Sequence, residues 1–212
     1  MNIAYNIKKA FKLFRDLNIF KTVYYSIKWG GVILVGRRFD LHIHKNAKIK
    51  TNGGRLYLGI GITYAQHGTL DMYESSVLET HGNVMFHKGS KIMLGAGAKL
   101  EIGNMTYINE HSRIQCRESI SIGERCAISW NVDILDTDEH QIICNGKIKD
   151  KTNPVKIGNN VWIGCKSIIL KGSNIEDNVI IGAGSLVNKH CAQNCLYVGN
   201  PCKNIKNNVT WQ

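Results

Sequence analysis

Residues 157–187 read IGNNVWIGCKSIILKGSNIEDNVIIGAGSLV, and this stretch decides the fold. Ile157, Ile163, Ile169, Ile175, Ile181 and Val187 recur at strict six-residue intervals. Four positions after each of the first five stands a small or β-branched residue: Val161, Ser167, Ser173, Val179 and Ser185. A helix needs a period of 3.6 and a lone strand a period of 2. A short apolar repeat held this long instead predicts a parallel β-helix. Six residues supply one short strand and one corner, so three units close a triangular coil with apolar side chains stacked inside.

Outward from this stretch the repeat loosens. Met72, Leu78 and Val84 are six apart, as are Phe86 and Ile92, then Ile102, Ile108, Ile114 and Ile120, then Ile122, Ile128 and Ile134. An x-apolar-x-apolar-Gly phrase recurs at KIMLG (91–95), KLEIG (99–103), SISIG (119–123) and PVKIG (154–158). Each phrase slips the series by two, which predicts earlier coils of about 20 residues rather than about 18. The β-helix is expected over 41–190. One interruption, 135–154, is polar, charged and without the period, and long irregular insertions usually carry function or are disordered. Residues 191–212 form a tail that must end the stack. Residues 1–40 form a basic, amphipathic helical segment. Ile3, Ile7, Ala10, Phe11, Phe14, Leu17 and Phe20 follow helical spacing, with Lys8, Lys9, Lys12 and Arg15 largely off that stripe. Such a segment suits a cap over the open end of the solenoid. A second, compatible reading is peripheral membrane contact through residues 1–30.

The chain has 212 residues, 43% of them hydrophobic, which fits one globular domain. Its formal net charge is +11, which calls for an anionic partner: a phosphorylated cofactor, a membrane surface or nucleic acid. No nucleic-acid-binding motif accompanies the charge, so no nucleic acid partner is expected. Seven cysteines, an odd count with no CxxC pair, and no signal peptide place the protein in a reducing cytoplasm. The spacing of His190, Cys191 and Cys195 matches no common zinc pattern, so no metal is expected. Cys126 falls in an inward small-residue slot, where it acts as a small hydrophobe. No apolar run reaches about 18 residues, so nothing spans a membrane.

Of eight histidines, His140 stands apart, at the start of the interruption and directly after Asp136, Asp138 and Glu139. An Asp accepting the Nδ1 proton would fix the tautomer and leave Nε2 free as a base. Residues 18 apart stack on adjacent coils where the repeat is strict. Gly164 should then lie under Gly182, Cys165 under Ala183, and Lys171 under Lys189. Adjacent glycines admit a ligand close to the backbone, and stacked lysines offer charge to a pyrophosphate.

The VWIG and IGAGS runs, the repeat and the acidic pair before His140 resemble the hexapeptide-repeat acyltransferases, in particular their sugar and polysaccharide O-acetyltransferases. The resemblance covers about 95–205 well and earlier coils loosely. It implies an all-β fold, a left-handed parallel β-helix, with the N-terminal helical segment added. It implies a homotrimer with sites between subunits and acetyl-CoA as co-substrate. It carries the catalytic base onto His140, with Asp138 as its orienting partner, and the oxyanion donor onto the backbone N–H of Cys165. It places Trp162 at the active-site border and Asn109 at an active-site asparagine. It implies that pantetheine lies along the β-helix axis and takes a backbone hydrogen bond at Ala183, which agrees with the cofactor groove read from the spacing at Gly164, Gly182 and Lys189. Pro201 and Lys203, in GNPCK, border the adenine and the 3′-phosphate. Trp130 and Asn131 are placed to face a sugar.

The expected activity is acetyl-CoA-dependent O-acetylation of a saccharide acceptor in surface polysaccharide assembly, in the cytoplasm or peripherally at the inner membrane face. Two alternatives stay open. One is an N-acyltransferase acting on a nucleotide-linked amino sugar; the other is a non-catalytic β-helix scaffold, which predicts no coenzyme A binding.

Overall fold

In the computed structural model, which describes residues 15–61 and 66–211, the coil strands pair in parallel with strands of the coils before and after. Among the described residues this builds three faces. The first has nine strands, beginning at Val32–Val35 and ending at Cys202–Asn207; the second runs from Phe39–Ile43 to Leu186–Val187; the third runs from Lys48–Asn52 to His190–Cys191. The chain is a left-handed parallel β-helix.

The interior is the predicted one. Ile157, Ile163, Ile169, Ile175, Ile181 and Val187 are all buried, and Ile163 pairs with Ile181 and Ile169 with Val187, one 18-residue coil apart. The slots at Val161, Ser167, Ser173, Val179 and Ser185 are buried too, as is Cys126. Their serines are not orphaned: Ser185 Oγ donates to Gly182 O at 2.6 Å and Ser173 Oγ to Leu170 O at 2.6 Å. Asparagines hold one corner in the left-handed region, Asn160, Asn178 and Asn194 at φ 53°, 60° and 57°. Asparagine tolerates that region better than other side-chain-bearing residues.

Coil length differs from the expected single value of 20. Arg113 pairs with Asp133, 20 residues on, but also with Lys91, 22 residues back. The KIMLG and KLEIG phrases fall in the same coil. Each makes a four-residue strand with two inward residues, so that coil gains two pairs rather than one.

Three boundaries also differ. The coil begins at Val32, ahead of the expected 41, because Ile33 and Val35 followed by Gly36 repeat the same phrase and pair with Leu56 and Leu58. The interruption is not irregular: Ile142–Cys144 and Lys147–Lys149 form an antiparallel arm. Asn145 and Gly146 at its tip have φ 51° and 73°, as a type I′ hairpin turn requires. At the other end, Cys195–Gly199 continues the first face and Cys202–Asn207 returns along it antiparallel, closing the stack with a hairpin.

The expected N-terminal stripe falls partly on residues 1–14, outside the described residues. The helix Ile19–Trp29 starts afresh at Asn18, whose side chain caps Lys21 N, and ends at Gly30 in the left-handed region. The phase therefore resets: Leu17 is buried, but Phe20 is 90% exposed. The helix lies on the first strand through its hydroxyl side. Val35 N donates to Thr22 Oγ1, Ile33 N donates to Ser26 Oγ, and Ser26 Oγ donates to Ile33 O, all at 3.0–3.1 Å. These side chains satisfy a strand edge that, among the described residues, has no further strand beyond it. No described helix is long and apolar enough to cross a membrane.

Candidate active site

The candidate residues gather at two corners of the prism. At the junction of the first and second faces, a ladder of backbone bonds stacks Asn109, Ser129, Gly164 and Gly182. Asn109 N donates to Ile128 O, Ser129 N to Ile163 O, Gly164 N to Ile181 O and Gly182 N to Tyr197 O, at 2.7–2.9 Å. The next residues, Glu110, Trp130, Cys165 and Ala183, form a second column. It is linked through Asn131 N to Glu110 O, Lys166 N to Trp130 O and Gly184 N to Cys165 O. Gly164 thus sits under Gly182, and Cys165 under Ala183. A Cβ on Gly164 would fall 2.6 Å from Ala183 N, and one on Gly182 2.7 Å from Val198 Cγ2. These glycines therefore keep coils in close register as well as baring backbone. Among the described residues the N–H groups of Cys165 and Ala183 make no hydrogen bond.

Trp162 borders this corner on the outer side of the first face. Its Nε1 donates to Ser129 Oγ at 3.2 Å, and its ring lies 6.2 Å from that of Trp211, whose own Nε1 donates to Asn160 O. Pro201, after a cis peptide bond, and Lys203 lie on the closing hairpin, where Lys203 pairs with Val198. Asn109, Trp162, Gly164, Cys165, Gly182, Ala183, Pro201 and Lys203 therefore belong to one end of the second face.

His140, Asp138 and Lys189 belong to the other end, where the second face turns into the third. The arm leaves after Asp133–Leu135, and three acids fix it. Asp136 is fully buried and accepts from the N–H groups of Arg117, Glu118 and Ser119 at 2.7–2.8 Å. Glu139 accepts from Arg117 Nε at 2.7 Å and from Gln115; the Arg117 guanidinium is the main reason its carboxyl is held below the usual glutamate range. Asp138 pairs with Lys171 Nζ at 2.7 Å. His140 follows these anchors, its N–H on Asp138 O at 2.6 Å and its side chain exposed.

Two expectations change here. The Asp138 carboxylate ties the arm to Lys171; it makes no bond to the His140 ring within this chain. Lys171 is occupied by that pair and by the carbonyl of Asp150, so it does not join Lys189 in a free cationic stack. Lys189 Nζ lies 5.8 Å from the centre of the Tyr197 ring, at the end of the prism. Between the two corners runs the stretch from Cys165 to Lys171. Six residues at about 3.3 Å each put them at most roughly 20 Å apart.

Asp136 is one of three acids shortly before His140, and its separate role comes from a turn 17–19 residues earlier. Ser129 and Trp211 had no signal in the repeat. Among the cysteines, Cys144 is exposed and Cys165 partly so, while the others are buried. Burial pushes the Cys126 thiol up to about 11 and, with Cys202 beside it, the Cys191 thiol up to about 12, so these are structural, inert thiols.

Comparison with known proteins adds to this geometry. The family described as "Bacterial transferase hexapeptide (six repeats)" matches residues 154–189. An uncharacterized 24.8 kDa protein in the cps region of Klebsiella pneumoniae is 30% identical over 197 residues, 92% of this chain and 87% of that protein. Galactoside O-acetyltransferase of Escherichia coli (strain K12) is 36% identical over 113 residues, 52% of this chain and 55% of that enzyme. The match thus spans about half that relative's length. The crystal structure of the polySia-specific acetyltransferase NeuO superposes with a TM-score of 0.54 at 27% identity, covering 82% of this chain and 83% of that one.

Proposed function

The chain belongs to the hexapeptide-repeat acyltransferase family, and from that premise we propose that it transfers an acetyl group from acetyl-CoA to a saccharide hydroxyl. His140 Nε2 removes the hydroxyl proton as that oxygen attacks the thioester carbonyl carbon. The carbonyl oxygen becomes an oxyanion and accepts from the N–H of Cys165. As it collapses, the carbon–sulfur bond breaks, and the leaving thiolate takes the proton back from His140. The products are the acetyl ester and coenzyme A. The observation that carries this reading is the arm: three acids, each held by a separate partner, fix the backbone that presents His140.

The base and the Cys165 corner sit at opposite ends of one face. We assign the working site to the seam between neighbouring chains of a homotrimer, where the arm of one meets the Gly164–Gly182 corner of the next. Pantetheine then lies along that corner within reach of the Ala183 N–H, with Lys203 toward the 3′-phosphate. The saccharide assignment follows the galactoside and polySia acceptors named for the two relatives. The reaction is placed in the cytoplasm, where acetyl-CoA is available.

Calorimetric titration with acetyl-CoA and with dephospho-CoA tests the cofactor. Binding that weakens without the 3′-phosphate is expected, and no binding by folded trimer would leave a scaffold. Mass spectrometry of reactions offered hydroxyl and amino sugars then tests the acceptor. Acetylation confined to the amine would replace O-transfer by N-transfer.

A further inference from the structure

The charge of this chain is concentrated at one end. Residues 1–61 contain 12 Lys and Arg against 2 Asp and Glu, while 62–212 contain 15 against 14. Almost all of the +11 therefore belongs to the N-terminal helix, the first coil and the sequence ahead of them. Even the two acids are neutralised there, Asp16 by Lys88 at 3.1 Å and Asp40 by Lys21 at 3.0 Å.

The same end carries an apolar surface. The helix Ile19–Trp29 turns Thr22 and Ser26 toward the strand edge and packs Tyr25 and Trp29 on the core. At 100° per residue, Phe20, Val23, Tyr24 and Ile27 fall on the opposite side, and Ile19 lies at the edge next to Ser26. All five are exposed, Phe20 by 90% and Ile27 by 77%. Val32 beside the helix is exposed as well. Lys28 flanks this side, its Nζ 4.7 Å from the Trp29 ring centre and 5.8 Å from that of Tyr24. An apolar helix face flanked by Lys28, at the strongly basic end of the chain, matches a bilayer interface carrying anionic headgroups. A second copy is a poor fit, because two such ends would bring like charge together.

We propose that this end of the prism docks on an anionic lipid surface. The side chains of Phe20, Val23 and Ile27 enter the headgroup–acyl boundary, and Lys28, Arg15 and the first-coil cations meet the phosphates. The helix lies on the surface and does not cross it. Five inter-strand steps separate Val32–Val35 from Trp162–Ile163 along the first face, which at about 4.8 Å each stands that corner roughly 24 Å from the lipid. That height matters for the acceptor only through the proposed reaction; the docking does not depend on it.

Sedimentation of the full-length protein with vesicles tests the proposal, and it needs no catalysis. Vesicles of phosphatidylcholine mixed with phosphatidylglycerol should carry the protein down, and phosphatidylcholine alone should not. Added salt should weaken the binding. Phe20→Ser with Ile27→Ser should cut partitioning at least about tenfold, at an unchanged melting temperature, since both side chains are exposed. Lys28→Glu should weaken it less. Equal binding of the double variant would overturn the proposal in favour of a purely electrostatic, polyanion-binding end. Absence of vesicle binding, with the double variant altering only the sedimenting mass, would overturn it in favour of a self-association face.

Discussion

The two corners of the second face solve opposite problems. At Asn109, Ser129, Gly164 and Gly182 the coils close tightly, and the column beside them leaves the backbone N–H groups of Cys165 and Ala183 without a hydrogen bond among the described residues. At Asp136 the chain leaves the coil, builds a hairpin and returns, and what reaches solvent is a side chain, His140. Yet the ladder ignores the excursion: Ala127 pairs with Trp162 across 35 residues as evenly as Trp162 pairs with Ile180 across 18. A solenoid can thus keep a close-packed backbone corner at one end of a face while adding a positioned histidine at the other. Neither addition disturbs the core.

The largest way to break the contrast is His140→Ala. Turnover should fall about a thousandfold with acetyl-CoA affinity unchanged in calorimetry, because the proposed pantetheine groove lies at the other corner. Asp136→Ala attacks the root of the arm and should be nearly as damaging by another route. It leaves the N–H groups of Arg117, Glu118 and Ser119 without their acceptor, and a loss of about 3 kcal/mol in stability is expected by denaturant titration. Lys171→Ala removes one outer anchor. Turnover should drop less than about tenfold, and limited proteolysis should cut faster between 138 and 151.

Acid should loosen the same arm. The Glu139 carboxyl is depressed in the folded chain, so its contribution is complete above the ordinary glutamate range and is lost as pH falls through the lower folded value. Proteolysis of the arm should accelerate only on the acid side of that range, and Arg117→Ala should abolish the dependence. The smallest effect belongs to the bare corner. Cys165→Ala should change turnover less than about threefold, because the proposed donor is a backbone N–H. In the parent protein acetyl-CoA should shield Cys165 from thiol labelling while leaving Cys144 on the arm reactive.

Much of this was legible because the fold writes one rule every six residues. Each Ile from 157 to 181 predicted a buried neighbour of the next, and the glycine and Cys165–Ala183 stacking followed from counting alone. What escaped depended on contacts the period does not encode. Asp136 is buried because the turn at 117–119, on the coil beneath, points three N–H groups at it. The arm carried a readable hairpin signal in Asn145–Gly146, masked by treating loss of the six-residue period as loss of structure. Ile33 and Val35 repeated a phrase already recognised elsewhere. The helix Ile19–Trp29 escaped because the stripe read from Ile3 was carried through to Phe20, whereas the Asn18 cap starts a new helix whose Thr22 and Ser26 meet the strand edge.

The spacing of the ladder also sets how the chain is wired. Every coil strand pairs with one only a turn of the prism away, so ordering can spread from neighbour to neighbour without a distant closure. The ends are then the places where the stack begins to unzip. The hydroxyls of Thr22 and Ser26 act as a stopper at one end and the Cys195–Asn207 hairpin as a stopper at the other. Amide exchange should be slowest midway between them and quicken toward each, with Ile33 the first to gain from any change that steadies the helix.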